Sequence, residues 1–319
     1  MKATVSIVVQ PAFAQYKERR IMEMKKNQDK IKAARDRIEH CLATIDTDED
    51  WLSFLAFQAK FYHYSYANTI LIYSQNREAS YVCGYRAWNK LGRHVRKGAN
   101  GIMVLAPCFR KVEVFIEPNN KSEYHEAEGE KEMRKIISGF HPVYVFDIQD
   151  TVGDDSKIPI LVKGLSGNSS REKEIYDKLL AIVCAENEVV EVERTAAKGS
   201  FNIETGVISI RSDLQYLHKI HTLIHEFSHA QDFKLNPDKN ICRNQRELVA
   251  ESVTYIVCEK LKLDVSSYSM GYLKSWLKDV NELKVVADTV QKIAYTIISK
   301  LAVSSDTASL FEEGDVDEQ

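Results

Sequence analysis

The tightest constraint on the fold lies in the C-terminal half, where His225-Glu226-Phe227-Ser228-His229 sits inside an apolar series at helical spacing: Leu217, Ile220, Leu223, Ile224, Phe227 and Ala230. A helix that takes two imidazoles and a carboxylate into apolar surroundings needs something to offset their desolvation. Residues four apart on a helix face the same way, so His225 and His229 can reach one metal ion while Glu226 lies beside it. The spacing predicts a helix over Leu214 to Phe233 that presents a Zn2+ site. Glu226 is then the general base of a peptide-bond hydrolysis, taking a proton from water and returning it to the leaving amine. His218 and His221 read as structural or surface residues, because the pentapeptide plus one carboxylate already completes a ligand set.

A catalytic zinc ion needs a third protein ligand and an open fourth position. Glu247 and Glu251 stand four apart on the next helical pattern, Arg243 to Leu263, so both carboxylates lie on one face. Here the chain is similar to zinc peptidases whose third ligand is Glu and which carry Glu-x-x-x-Asp at this place. That resemblance implies Glu247 as the metal ligand and Glu251 as the partner that fixes a histidine tautomer. On the residues alone, either carboxylate can reach the metal.

With 319 residues the chain exceeds one ordinary domain, so two are expected. No apolar run approaches the ~20 residues of a membrane helix. Met1 to Gln15 lacks the order of a signal peptide, and the expected location is the cytoplasm. Six cysteines without a CxxC pair fit neither a disulfide framework nor a thiolate zinc site. A net charge of -3 conceals a strong asymmetry: Trp51 to Arg110 carries eight Lys or Arg against Glu78 alone, whereas Ser304 to Gln319 carries six acids and no base.

Helical periodicity covers Tyr16 to Cys41 on the surface, then, past an acidic stop at Asp46 to Asp50, a helix beginning near Trp51, and Tyr66 to Gln75 behind a Ser65 cap. Short strands are expected at Tyr81 to Tyr85 and Val143 to Ile148, and Ile102 to Ala106 with Val112 to Ile116 reads as a hairpin. Glu117 to Lys135 reads as an exposed loop. Glycines and serines in Gln149 to Ser170 mark a linker, drawn at 154–170 between a first domain, 1–153, and a second, 171–303. In the second domain, helices are expected at Arg171 to Asn187, Leu214 to Phe233, Arg243 to Leu263, Tyr268 to Lys278 and Leu283 to Leu301. A hairpin turns at Thr205-Gly206. Residues 304–319 form an acidic tail expected to be disordered. The fold class is α+β: an α+β N-terminal domain joined to a mainly helical domain with a small β-sheet.

Eleven of the thirty aromatic residues fall between Trp51 and Trp88, interleaved with or closely followed by the basic residues. Aromatic faces in a positive groove are what single-stranded nucleic acid needs, stacking on its bases while cations follow the phosphates. Trp51 and Phe54, at helical spacing, are expected in the core. Tyr85 and Trp88 are the stacking candidates beside the basic loop Arg93-His94-Val95-Arg96-Lys97-Gly98, whose charges are not expected in a core. Arg86, Arg93, Arg96 and Lys97 are the candidate phosphate contacts.

Three stretches, Tyr64 to Ile72, Gly84 to Trp88 and Gly92 to Ile102 with Leu105-Ala106-Pro107, closely resemble the single-stranded-DNA-binding domain of ArdC-type antirestriction proteins. Val145 to Gly153 resembles the motif ending that domain, and His225 to His229 with Glu247 to Glu251 is similar to the family's zincin-like metallopeptidase domain. The resemblance implies a protein of plasmids or conjugative elements that binds incoming single-stranded DNA, evades host restriction and acts on an unknown protein substrate. The helix before Trp51, the insertion at Glu117 to Lys135 and the acidic tail have no counterpart in it. Two other readings share the residues: a DNA-binding accessory protein with an idle or structural zinc site, and a metallopeptidase that cleaves a mobile-element repressor.

Overall fold

The computed structural model describes residues 11–116, 130–154, 156, 158, 169–193, 197–237, 241–264 and 280–303. Helix α1 (Pro11–Ala43) contains the expected surface helix, and among its described side chains up to Asp36 only Ala34 is buried. The acidic run expected to stop a helix instead starts one, α2 (Asp48–Lys60). The Thr47 hydroxyl accepts from the Asp50 N–H at 3.1 Å and the Asp50 carboxylate accepts from the Thr47 N–H at 3.2 Å. This capping box, with Asp48, Glu49 and Asp50 in the first turn, puts negative charge where the helix dipole favours it. Helix α3 (Tyr66–Gln75) starts at Ser65 as the sequence predicts, with the hydroxyl accepting from the Asn68 N–H.

Strand β1 (Val82–Gly84), helix α4 (Tyr85–Lys90) and strand β2 (Arg93–Val95) follow, then two long strands, β3 (Ile102–Ile116) and β4 (Glu130–Asp147). The hairpin expected within 102–116 is therefore a single strand, paired with β4, and the expected loop supplies the start of β4. Polar Arg110 and Lys111 do not mark a turn here because both are exposed on the ribbon. Pro107, which has no N–H to give, is tolerated in an edge strand. After a 3-10 turn at Ile148–Asp150, strand β5 (Thr151–Gly153) pairs antiparallel with β2.

Helix α5 (Ser169–Cys184) and strands β6 (Val189–Val192), β7 (Gly199–Phe201) and β8 (Ile208–Arg211) come next, then helices α6 (Tyr216–Leu235), α7 (Arg243–Leu261) and α8 (Val280–Val303). The β7–β8 hairpin turns at Gly206, whose φ of 72° suits glycine. Strand β6, not expected from the sequence, pairs parallel with β8, leaving β7 at the other edge. The architecture is α+β. No described helix is long and apolar enough to cross a membrane. The expected helix Tyr268 to Lys278, the acidic tail and most of the 154–170 linker lie outside the described residues.

The chain forms two compact units, and compactness divides it at other points than the expected 153 and 171 boundaries. One unit comprises residues 1–36 and 103–144: most of α1 and the β3/β4 ribbon. The other comprises residues 37–102 and 145–319. In the latter, Trp51, Phe54, Leu55 and Phe61 of the α2 region are fully buried, as expected for the first two, in a core shared with helices far along the chain. The Trp51 indole N–H donates to the Ser252 hydroxyl of α7 at 3.0 Å. The Gln291 amide of α8 donates to the carbonyls of Tyr62 and Tyr64, both at 2.8 Å, and its oxygen accepts from Gln58. These are long-range bonds between buried polar groups, each of which would be costly to leave unpaired.

Candidate metal centre

Helix α6 buries Ile220, Leu223, Ile224, Phe227 and Ala230, so the apolar series anchors one side of the helix and turns His225 and His229 toward α7. The two Nε2 atoms lie 3.1 Å apart. A single oxygen, Glu247 Oε2, lies 3.5 Å from His225 Nε2 and 3.6 Å from His229 Nε2. Glu251 does not join this triangle; its Oε1 lies 3.5 Å from Nδ1 on the opposite side of the His225 ring. Among the described residues, His225, His229 and Glu247 are the cluster whose donors could hold a metal ion. The donor set of two imidazoles and a carboxylate fits a divalent metal.

Electrostatics around the triangle follow from burial and these contacts. Hydrogen bonding with His225 holds the Glu247 carboxyl down to about 2 despite partial burial. Burial disfavours charge on His225, but the Glu247 hydrogen bond and the carboxylates of Glu251, Glu226 and Glu247 outweigh it and raise the imidazole. Burial, aided by His225, pushes His229 down to about 4, which keeps it neutral as a ligand must be. Burial raises both Glu226 and Glu251.

Glu226 is held from the sheet side. The backbone N–H of Phe201, on edge strand β7, bonds its carboxylate, and β7 approaches α6 so closely that Gly199 has no room for a side chain. On the far side, Arg246 reaches from α7 to Asp232 of α6 at 2.6 Å, its guanidinium 3.8 Å from the Phe233 ring centroid. Asp232 is buried and also accepts from the Asn236 amide at 2.7 Å. This clamp fixes the start of α7, and with it Glu247, against α6. Asp232 and Arg246 are not singled out by sequence reasoning, although an acid three residues past His229 and a base just before Glu247 are the available signal. His218 and His221 stay outside the metal cluster.

The expected DNA-binding residues part company. Tyr85, Arg86, Arg96 and Lys97 are exposed. Trp88 is completely buried, its indole N–H donating to the Phe146 carbonyl at 2.9 Å, so it offers no face to a base. Arg93 is only 6% exposed. Its Nε donates to the Thr151 hydroxyl at 2.8 Å and its Nη1 to the Gly153 carbonyl at 3.1 Å, with the Trp88 ring 5.9 Å from the guanidinium. The expectation that no charge of this loop belongs to a core fails for Arg93, because strand β5 supplies the oxygens that make its burial affordable.

An α+β chain with a His-His-Glu cluster between two helices is, on its own geometry, a candidate metalloprotein. Comparison with known proteins narrows the class of one segment: residues 24–146 match the family model of the N-terminal domain of anti-restriction factor ArdC. Uncharacterized protein pXO2-81 of Bacillus anthracis is 23% identical over 286 residues, which is 80% of this chain and 47% of that protein. The chain thus spans about half the length of the curated relative it matches. Crystal structures of the antirestriction ArdC protein from plasmid R388, one metal-free and one Mn(II)-bound, align over 76% of this chain and 86% of theirs. Their TM-scores are both 0.43, at 20% and 19% identity.

Proposed function

We propose that this is an antirestriction protein of a mobile genetic element which binds single-stranded DNA and carries a zinc-dependent peptidase site. The observation that carries the peptidase half is the donor triangle. Three donors each ~2.0–2.1 Å from a tetrahedral zinc ion stand roughly 3.3 Å from one another. The separations of 3.1, 3.5 and 3.6 Å bracket that value. His225, His229 and Glu247 would hold the ion. When bound, zinc supplies Lewis-acid polarisation of a carbonyl and acidifies water.

The remaining chemistry belongs to the chain's own residues. Glu226, next to His225 on α6 and steered by the Phe201 N–H, accepts a proton and passes it to the leaving amine. Burial, which raises its carboxyl, brings it nearer the range where it can both take and give a proton. Glu251, facing Nδ1 of His225, holds the proton on that nitrogen and leaves Nε2 free as a donor to metal. Exposed Tyr85, Arg86, Arg96 and Lys97 would contribute to DNA binding within the functional segment 1–153, with the peptidase functions in 171–303, both acting in the cytoplasm.

The test is a comparison of cells carrying the wild type with cells carrying Glu226→Gln, by quantitative mass spectrometry of host proteins. Proteins lost only with the wild type identify substrates. If the two proteomes match while both proteins bind zinc stoichiometrically, the site is not a peptidase in the cell and the accessory-protein reading replaces it.

A further inference from the structure

Burial of Trp88 removes an expected stacking residue, and burial of Arg93 removes an expected phosphate contact. The β3/β4 ribbon carries what those two do not. Phe109, Phe140 and Tyr144 are 43%, 51% and 46% exposed. Three half-exposed rings on one two-stranded ribbon offer flat apolar area to a partner. Cations lie among them: Arg110, Lys111, Arg134 and Lys135 are all exposed. Within residues 102–113 and 133–144, Glu113 is the one carboxylate against these four bases.

We propose that single-stranded DNA docks around the β3/β4 ribbon, its bases stacking on Phe140 and Tyr144 and on Phe109 beside Lys135, and its phosphates lying on Arg110, Lys111, Arg134 and Lys135, which alternate between the two faces of the ribbon. This rests on the reading that the chain binds single strands, and gives that binding a platform other than the Arg93 loop. Side chains on a strand alternate between faces, so Phe140 and Tyr144 share one face, about 13 Å apart along the strand. The Lys135 ammonium lies 4.2 Å from the Phe109 ring centroid, and Lys30 of α1 lies 5.0 Å from that of Tyr144. A base stacked at either ring therefore brings its phosphate near a cation already in place, the pairing of ring and charge that single-strand binders use.

Duplex fits this surface less well, because its base faces are hidden. A second copy of the chain is disfavoured by charge: a two-fold contact made by the same ribbon would set its bases against each other. Exposed Met133, Ile136 and Ile137 on β4 add apolar area for sugars and base edges.

The experiment uses the full chain and a fluorescein-labelled oligothymidine, with anisotropy measured against salt and circular dichroism recorded for each variant. Phe109→Ala/Phe140→Ala/Tyr144→Ala should lose affinity by roughly 5- to 150-fold for each stack removed, with the salt slope unchanged. Arg110→Gln/Lys111→Gln/Arg134→Gln/Lys135→Gln should flatten the slope by about 0.7 per lost phosphate contact. A ring-preserving Phe140→Trp should bind like the wild type, and its added fluorescence should be quenched by the oligonucleotide. Should wild type and both ribbon variants bind alike, the ribbon is not the site and the proposal is wrong while single-strand binding stands. Unchanged binding with a dimer-to-monomer shift in sedimentation of the aromatic variant would make the ribbon a self-association face and overturn it equally. If the wild type binds no single-stranded DNA, this proposal and the reading beneath it fall together.

Discussion

Gly199→Ala perturbs the candidate centre without touching a proposed metal ligand. An added Cβ would stand 2.3 Å from Cγ2 of Thr222, 3.0 Å from the Ser209 carbonyl oxygen and 3.2 Å from Cγ of Glu226. The shortest contact decides the outcome. Thr222 is buried and β-branched, and its hydroxyl is bound to the His218 carbonyl at 2.8 Å, so it cannot swing aside freely. Strand β7 must instead move off α6, an overpacking that costs about 1–3 kcal/mol. Alanine recovers ~0.4–1 kcal/mol by restricting the unfolded chain, which leaves a net loss of roughly 1–2 kcal/mol. Thr222→Ser deletes the offending methyl and keeps the hydroxyl bond. A double-mutant cycle of the two, measured by urea unfolding at constant m, should therefore show favourable coupling of about 1 kcal/mol. A neutral Gly199→Ala, or a coupling of zero, would refute the claim that β7 is pressed against the helix carrying Glu226.

Four further outcomes are expected. Glu247→Ala should lower zinc affinity more than Glu251→Ala, whose loss should be ~10- to 100-fold, by metal titration of chelator-treated protein; the reverse order moves the ligand role to Glu251. Glu226→Gln should keep the zinc content of the wild type and lose all peptide turnover, and retained cleavage would remove Glu226 as the base. Gln291→Leu should cost about 1–3 kcal/mol in chemical unfolding, since it strips the Tyr62 and Tyr64 carbonyls of their buried donor. Burial holds His63 down to about 4 from an ordinary 6.5, so its contribution is intact above pH 6.5 and is lost as pH falls toward 4, because the unfolded chain takes up the proton first. That gap amounts to about 3 kcal/mol, and His63→Gln should make the acid limb of the stability curve visibly shallower.

Much of the candidate centre is legible in the sequence because it depends on helical geometry alone. Spacing of four puts His225 and His229 on one face, and the same spacing gives Glu247 and Glu251 two different sides of one imidazole. Ser65, the Thr205-Gly206 turn and the core positions of Trp51 and Phe54 are readable for similarly local reasons. What escapes sequence reading depends on partners distant along the chain. Arg93 looks like a solvated charge until Thr151 and Gly153 are brought beside it, and Trp88 looks like a stacking platform until the Phe146 carbonyl receives its N–H. Strand β6 is short, and its parallel partner β8 comes later in the chain, so no hairpin turn announces it. The acids in the first turn of α2 look like a break in hydrophobic periodicity, although they are the helix's own start signal.

The bond from Trp51 to Ser252 and the Gln58–Gln291 pair tie α2 to α7 and α8 across most of the chain's length. A gene of this kind cannot be spliced at its middle. Any crossover between the codons for 153 and 171 joins an α2 from one parent to an α7 and α8 from another, and the hybrid folds only where both parents carry matching partners for the buried indole and amides. The half that carries α2 and the half that carries α7 and α8 are therefore inherited best as a single piece, each changing only as fast as the shared core lets the other follow.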